Sequence, residues 1–230
     1  MFLLFIAFFG ISLLVSYRFK NKIKKYSEAT LFQSLTGAEI AEKMLQDNGI
    51  YDVKVISAEG QLTDHYNPMN KTVNLSYEVY HGRTVAAAAI AAHECGHAVQ
   101  HAQAYPFLKF RSAMVPIQNV SARLLNIIVL VMMFGGYFLF RSSFSFEFVA
   151  IVLIACQSVI TLFSLVTLPV EFDASKRGLA WLTNKGIVLD SEHDMAKDAL
   201  KWAAMTYVVA ALGAIATLLY YIMLFTGRRD

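Results

Sequence analysis

The chain has 230 residues and a formal net charge of +3, with 57% hydrophobic and 16% charged residues and a mean hydropathy of +0.48. Soluble domains average about 45–50% apolar and about 25% charged residues, so this composition excludes intrinsic disorder and argues against a purely soluble globule. The small net charge, with no basic patch interleaved with aromatics, gives no reason to expect a nucleic-acid partner.

Four uncharged apolar runs occur in chain order: Met1–Tyr17, Leu124–Phe140, Phe148–Val170 and Trp202–Thr226. A membrane span needs about 20 apolar residues, with a range of about 17–25, and each run is long enough. The first run lacks a basic leader and a small-x-small cleavage site, so it is read as an uncleaved anchor. Arg18, Lys20, Lys22, Lys24 and Lys25 follow it directly, and residues 18–123 hold 12 of the 20 Lys and Arg. Basic residues beside span ends favour the cytoplasmic side. The expected topology therefore places the N-terminus outside, residues 18–123 and 171–201 in the cytoplasm, and the C-terminus outside. Arg228 and Arg229 run against that last assignment.

Between the first two runs lies the main soluble part, Tyr26–Gln118. Thr36–Asn48 predicts a helix, with Thr36 and Glu39 at capping-box spacing and Gly49 as its stop. Residues 53–57 alternate as a strand, Asp64–Pro68 is turn-like, and Thr72–Ser76 alternates again. Alanine-rich Thr84–Gln103 predicts a second helix. Cys95 and Cys156 give no disulfide framework. The expected organisation is an anchor (1–17), a cytoplasmic catalytic part (26–118), a transmembrane hairpin (119–170), a second catalytic segment (171–201) and a C-terminal transmembrane helix (202–226). The expected fold class is a mainly α, multi-pass cell-membrane protein with about four transmembrane helices and a small α+β part.

His93-Glu94-Cys95-Gly96-His97 is an H-E-x-x-H sequence on the predicted second helix. Residues i and i+4 share a helix face, so both imidazoles can meet one ion. Glu94 is turned aside and can reach a metal-activated water without ligating, which is zinc-protease chemistry. The bland alternative is a pair of satisfied core histidines. A catalytic zinc also needs a third protein ligand and an open position. His101 lies on the same stripe, but i, i+4 and i+8 on a straight helix span about 12 Å, too far for one ion. Glu171 directly follows the third apolar run and is expected on the same membrane face as His93. Asp173, two residues on, is an alternative that spacing does not exclude.

Taken together, Leu62–Pro68, Val73–Ser76, Ala91–Gln100 and Leu168–Asp173 resemble the YugP-type neutral zinc metallopeptidase family, across most of the chain. More distantly the chain is similar to membrane gluzincins of the HtpX and CAAX prenyl protease type, whose second motif is Glu-x-x-Ala-Asp. Glu171-Phe172-Asp173-Ala174 matches its first four positions, and Ser175 stands where those relatives carry an aspartate. The resemblance implies a zincin-like catalytic part, a polypeptide substrate and a bilayer. It implies zinc as cofactor, held by His93, His97 and Glu171, with Glu94 as general base. Asp173 is the substitute for the missing second-layer aspartate. His193 is the first choice for the group that stabilises the oxyanion, ahead of His65, Tyr66 and His81. Val73, Asn74 and Leu75 are the proposed sheet edge for the substrate strand, as such peptidases commonly use. The rival readings are a non-catalytic membrane protein with a structural metal, and a zinc hydrolase of a non-peptide bond. Oligomeric state is not legible.

Overall fold

The computed structural model describes residues 2–60, 63–134 and 146–227. Leu62, the end of the second apolar run beyond Phe134, Arg228 and Arg229 lie outside them. The protein is mostly helical. Helix α1 (Phe2–Ser27) leads into α2 (Gly37–Asp47), strands β1 (Lys54–Ala58), β2 (His65–Asn67) and β3 (Thr72–Ser76), and the short α3 (Tyr77–His81). Then come α4 (Val85–Ala102), α5 (Pro106–Phe134), α6 (Phe146–Asn184) and α7 (Asp190–Thr226).

Local chemistry accounts for the small elements. The Thr36 hydroxyl accepts from the Glu39 amide while the Glu39 carboxylate accepts from the Thr36 amide, the reciprocal cap read from the sequence. Gly49 follows the helix at φ +70°, a conformation that costs glycine nothing. Thr84 caps α4 through the Ala87 amide. The turn-like stretch after Asp64 is instead an edge strand: β2 pairs antiparallel with β3, and Asp64 accepts from the amide and hydroxyl of Ser76. The sheet order is β1-β3-β2, with β1 parallel to β3.

The packed core lies between the soluble parts. Ile40 and Met44 of α2, Val73 and Leu75 of β3, the alanines of α4, Leu182 of α6 and Ala196 of α7 are buried against one another. Ends of α6 and α7 thus complete the domain that α2–α4 begin. Trp181 Nε1 donates to Asp47 at 3.0 Å, and Lys185 pairs with the same carboxylate at 3.1 Å, fastening α6 to α2.

Among the described residues three helices are long and apolar enough to cross a membrane: α5, α6 and α7. Helix α5 buries only Met114 and Ser121, leaving residues such as Ile117, Val120 and Ile127 exposed. So wide an apolar surface is not one that water tolerates. At 39 residues α6 is about 58 Å long, well beyond the ~30 Å hydrocarbon core. One unbroken helix therefore carries both the apolar run and the polar segment that starts at Glu171.

Helices α4 and α6 meet at backbone distance. A Cβ on Gly96 would lie 2.4 Å from the Ala174 carbonyl oxygen, and one on Gly178 2.7 Å from that of Ala92. Gly96→Ala is expected to lower stability by about 1–3 kcal/mol through overpacking. Gly213→Ala, with open space around it, is expected to change stability by no more than the helix-propensity difference of about 1 kcal/mol. Unfolding of both variants in detergent checks the contrast.

Candidate metal centre

Helix α4 presents His93 and His97 one turn apart, and the close α4–α6 contact sets Glu171 opposite them. Glu171 Oε2 lies 3.4 Å from His93 Nε2 and 3.6 Å from His97 Nε2. It is the one buried side-chain oxygen or nitrogen among the described residues without a hydrogen-bond partner. An unsatisfied buried carboxylate oxygen is costly, and a metal ion is the partner that two imidazole nitrogens and a carboxylate share best. The donor atoms of all three residues fall within 4.8 Å of one another, a group that could hold one metal ion.

The outer nitrogens are tied down. His93 Nδ1 lies 3.0 Å from Ser175 Oγ, and His97 Nδ1 lies 3.1 Å from Gln100 Oε1. Donation from Nδ1 to those oxygens leaves each Nε2 lone pair free to ligate. Gln100 is fully buried and donates from Nε2 to the Val170 carbonyl and to Asp173 Oδ2, both at 2.8 Å. Arg111, near the start of α5, pairs with the other Glu171 oxygen, Oε1, at 3.4 Å. That contact turns Oε2 toward the histidines.

Glu94 lines a cavity of about 210 Å³ together with His93 and Glu171, and its Oε2 accepts from the Tyr66 amide at 3.0 Å. Tyr207 of α7 lines the same cavity, its hydroxyl directed at the Glu171 carboxylate. Asp64 borders it too. Burial, helped by the nearby Glu94 charge, pushes the Asp64 carboxyl above the ordinary carboxylate range, against the opposing hydrogen bonds from Ser76. Cys95 is set apart from this chemistry. It is fully buried, its thiol points to the Ala41 carbonyl at 3.5 Å, and burial holds that thiol protonated.

Residues 1–226 match a family described as "Putative neutral zinc metallopeptidase". The chain belongs to that family. It is also 37% identical over 225 residues to a Bacillus subtilis (strain 168) protein named "Putative membrane protease YugP", covering 98% of this chain and 96% of that relative. No solved structure matches it. The family's zinc and the His93–His97–Glu171 cluster agree on the cofactor.

Several sequence expectations change on this geometry. Asp173 is not in the cluster and does not reach His93; it reaches His97 only through Gln100. Ser175, at the place where relatives carry an aspartate, contacts His93 itself. Val73, Asn74 and Leu75 cannot offer a free sheet edge, because β3 is the central strand; Val73 and Leu75 are fully buried and Asn74 is nearly so. The open edge beside Glu94 belongs to β2. His193 is not among the residues that line the cavity; it sits in the first turn of α7, about 21 Å along the axis from Tyr207. His81 stacks on Tyr77 and Tyr80, and His65 contacts the Thr63 carbonyl. His101 meets the Tyr66 hydroxyl at 2.7 Å, a structural contact as its place on the stripe suggested. Sequence reasoning missed Gln100, Arg111, Ser175 and Tyr207. Ser175 was visible only as a departure from the relatives' motif; a tyrosine inside an apolar run carried no signal.

Ser175→Ala and Gln100→Ala are each expected to weaken zinc binding by about 10–100-fold, since they free a ligating imidazole. Chelator competition on folded, detergent-solubilised protein measures this. Affinity is also expected to fall on acidification, as protons compete with the metal for imidazole nitrogen.

Proposed function

We propose that this protein is a multi-pass membrane zinc endopeptidase of gluzincin type, cutting polypeptides at a cytoplasmic site beside the bilayer. The observation that carries the reading is the partnerless Glu171 Oε2 facing two histidine nitrogens, with Glu94 at the wall of the same cavity. Three donors and an adjoining cavity support a catalytic site with an open position over a closed structural one.

His93, His97 and Glu171 would hold the zinc, which when bound supplies Lewis acidity to the scissile carbonyl and to a water molecule. Glu94 is the general base. The Tyr66 amide fixes one of its oxygens and leaves the other to take the water's proton, then return it to the leaving amine. Tyr207 replaces His193 as the donor beside the developing oxyanion, because it lines the cavity with its hydroxyl directed at Glu171, and His193 does not line it. The substrate backbone lies along β2. Because Tyr66 pairs with Val73 between the His65–Asn74 and Asn67–Thr72 positions, its amide points out from the sheet toward Glu94.

Four spans are part of this reading: α1 carries the N-terminal anchor, and α5, α6 and α7 the other three. The cytoplasmic side rests on the basic cluster after residue 17 and on the 12 of 20 Lys and Arg that fall in residues 18–123. Of the soluble segments, 26–118 and 171–201 would act as one catalytic unit.

Glu94→Gln is expected to keep one zinc per chain and lose about 10²–10⁴-fold in kcat/KM on a peptide substrate. Tyr207→Phe is expected to keep zinc and lose about 10²–10³-fold in kcat. A Glu94→Gln protein with wild-type turnover, or purified wild type that binds no zinc, overturns the proposal.

A further inference from the structure

The cluster Arg18–Lys25 divides between two faces of α1. Arg18 sits 5.7 Å over the Trp202 ring, Lys22 pairs with Asp198 at 2.7 Å, and Lys25 lies 5.9 Å from the Tyr26 ring, whose hydroxyl donates to Asp198 at 2.6 Å. Arg18, Lys22 and Tyr26 fasten α1 to α7. Lys20 and Lys24 stand four residues apart on another face. Among the described residues neither ammonium has an ion-pair or hydrogen-bond partner. Both line a second cavity, of about 720 Å³, between α1 and α4.

That cavity adjoins the one at the metal centre. Ile23 of α1, Asp64 ahead of β2 and Ile90 of α4 line both. The outer cavity has an apolar floor in Ile23, Val79, Ala86 and Ile90. The cavity at the metal centre carries Glu94 and Glu171, and the outer one carries the two lysines together with Glu78. A positioning role for the fold explains Arg18 and Lys22, but not two cations left facing an open groove.

Resting on the peptidase reading above, we infer that the outer cavity is a substrate subsite and that Lys20 and Lys24 select an acidic side chain on an extended polypeptide. Distance sets its register. Ala86 precedes His93 by seven residues, about 10 Å along α4, which an extended strand covers in about three residues. The preferred Asp or Glu lies two to four positions from the scissile bond. The apolar floor takes the residues between.

The test uses full-length, zinc-loaded Glu94→Gln protein in detergent, so that binding is read without turnover. The probes are fluorescent peptides in which one Glu, or Gln in its place, is stepped along an otherwise constant sequence. The expected result is binding about fivefold tighter for Glu than Gln at the stated register, with the difference shrinking as salt rises. Adding Lys20→Gln and Lys24→Gln removes that difference, Lys20→Arg with Lys24→Arg retains it, and Lys22→Gln retains it as well. Equal binding of the Glu and Gln peptides, survival of the preference in the double Gln variant, or no peptide binding at all overturns the subsite. If the lysines instead serve a lipid headgroup, the double variant loses affinity for anionic vesicles while peptide discrimination is absent, which also overturns it. The function reading fails separately, when wild type does not cleave peptides that the Glu94→Gln protein binds with this preference.

Discussion

Everything at the metal centre depends on two helices touching backbone to backbone. Gly96 lies against Ala174, and Gly178 against Ala92. Neither site has room for a side chain, so the helices approach until the Glu171 carboxylate falls within reach of His93 and His97. The three donors come from positions 93, 97 and 171, and no local turn could gather them. A helix pair held this close is stiff in the direction that matters. Ridge-and-groove packing through larger side chains would hold the axes at about 8–10 Å. The second residue of the Cys95-Gly96 pair inside the motif is thus glycine for packing, while the histidines on either side are there for chemistry.

Around that contact the protein satisfies almost every buried polar atom and leaves one open. Ser175 and Gln100 hold the outer nitrogens of the histidines, the Gln100 amide continues to Val170 and Asp173, and Arg111 occupies the far oxygen of Glu171. An imidazole oriented by a second partner costs less ordering when it ligates. The arrangement also crosses between the soluble and apolar parts. Arg111 belongs to the start of α5, and Tyr207 lies within the uncharged run of α7. Removing the apolar helices would strip the centre of two side chains as well as of its anchor.

The same economy governs α1. Two of its basic residues, Arg18 and Lys22, clamp α1 to α7 by cation–π contact and ion pair. Each exposed contact is worth little alone, about 0.2–1 kcal/mol. Their joint effect is to keep α1 alongside the cleft, so that the cleft has a second wall. A helix needed only as an anchor would not have to be tied down at its polar end.

Local chemistry wrote much of this into the sequence. The Thr36–Glu39 cap, the alternation at Thr72–Ser76, the alanine-rich helix and the His93–His97 spacing depend on neighbours within a few residues, and the structure has each of them. The apolar runs are legible for a like reason, since their length and lack of charge act independently of the rest of the chain. The third ligand was half legible: Glu171 stood out as an acid ending an apolar run, but Asp173 was equal to it by spacing. Pairing partners were not legible. Whether β3 is an edge or a centre depends on where β2 lies, and a three-residue strand beside a proline reads as a turn. Ser175 stood out by its place in the motif, but its contact with His93 was not legible, nor were the contacts of Gln100, Arg111 and Tyr207, because each role comes from an atom more than two residues away that the fold brings near. The sequence by itself determined the helices, the apolar stretches and the two imidazoles. Tertiary structure decided which carboxylate faces those imidazoles, through the close approach of α4 and α6 at two positions without side chains, and it alone decided the central strand, through the pairing of β2, and the cleft wall, through the contacts of α1 with α7.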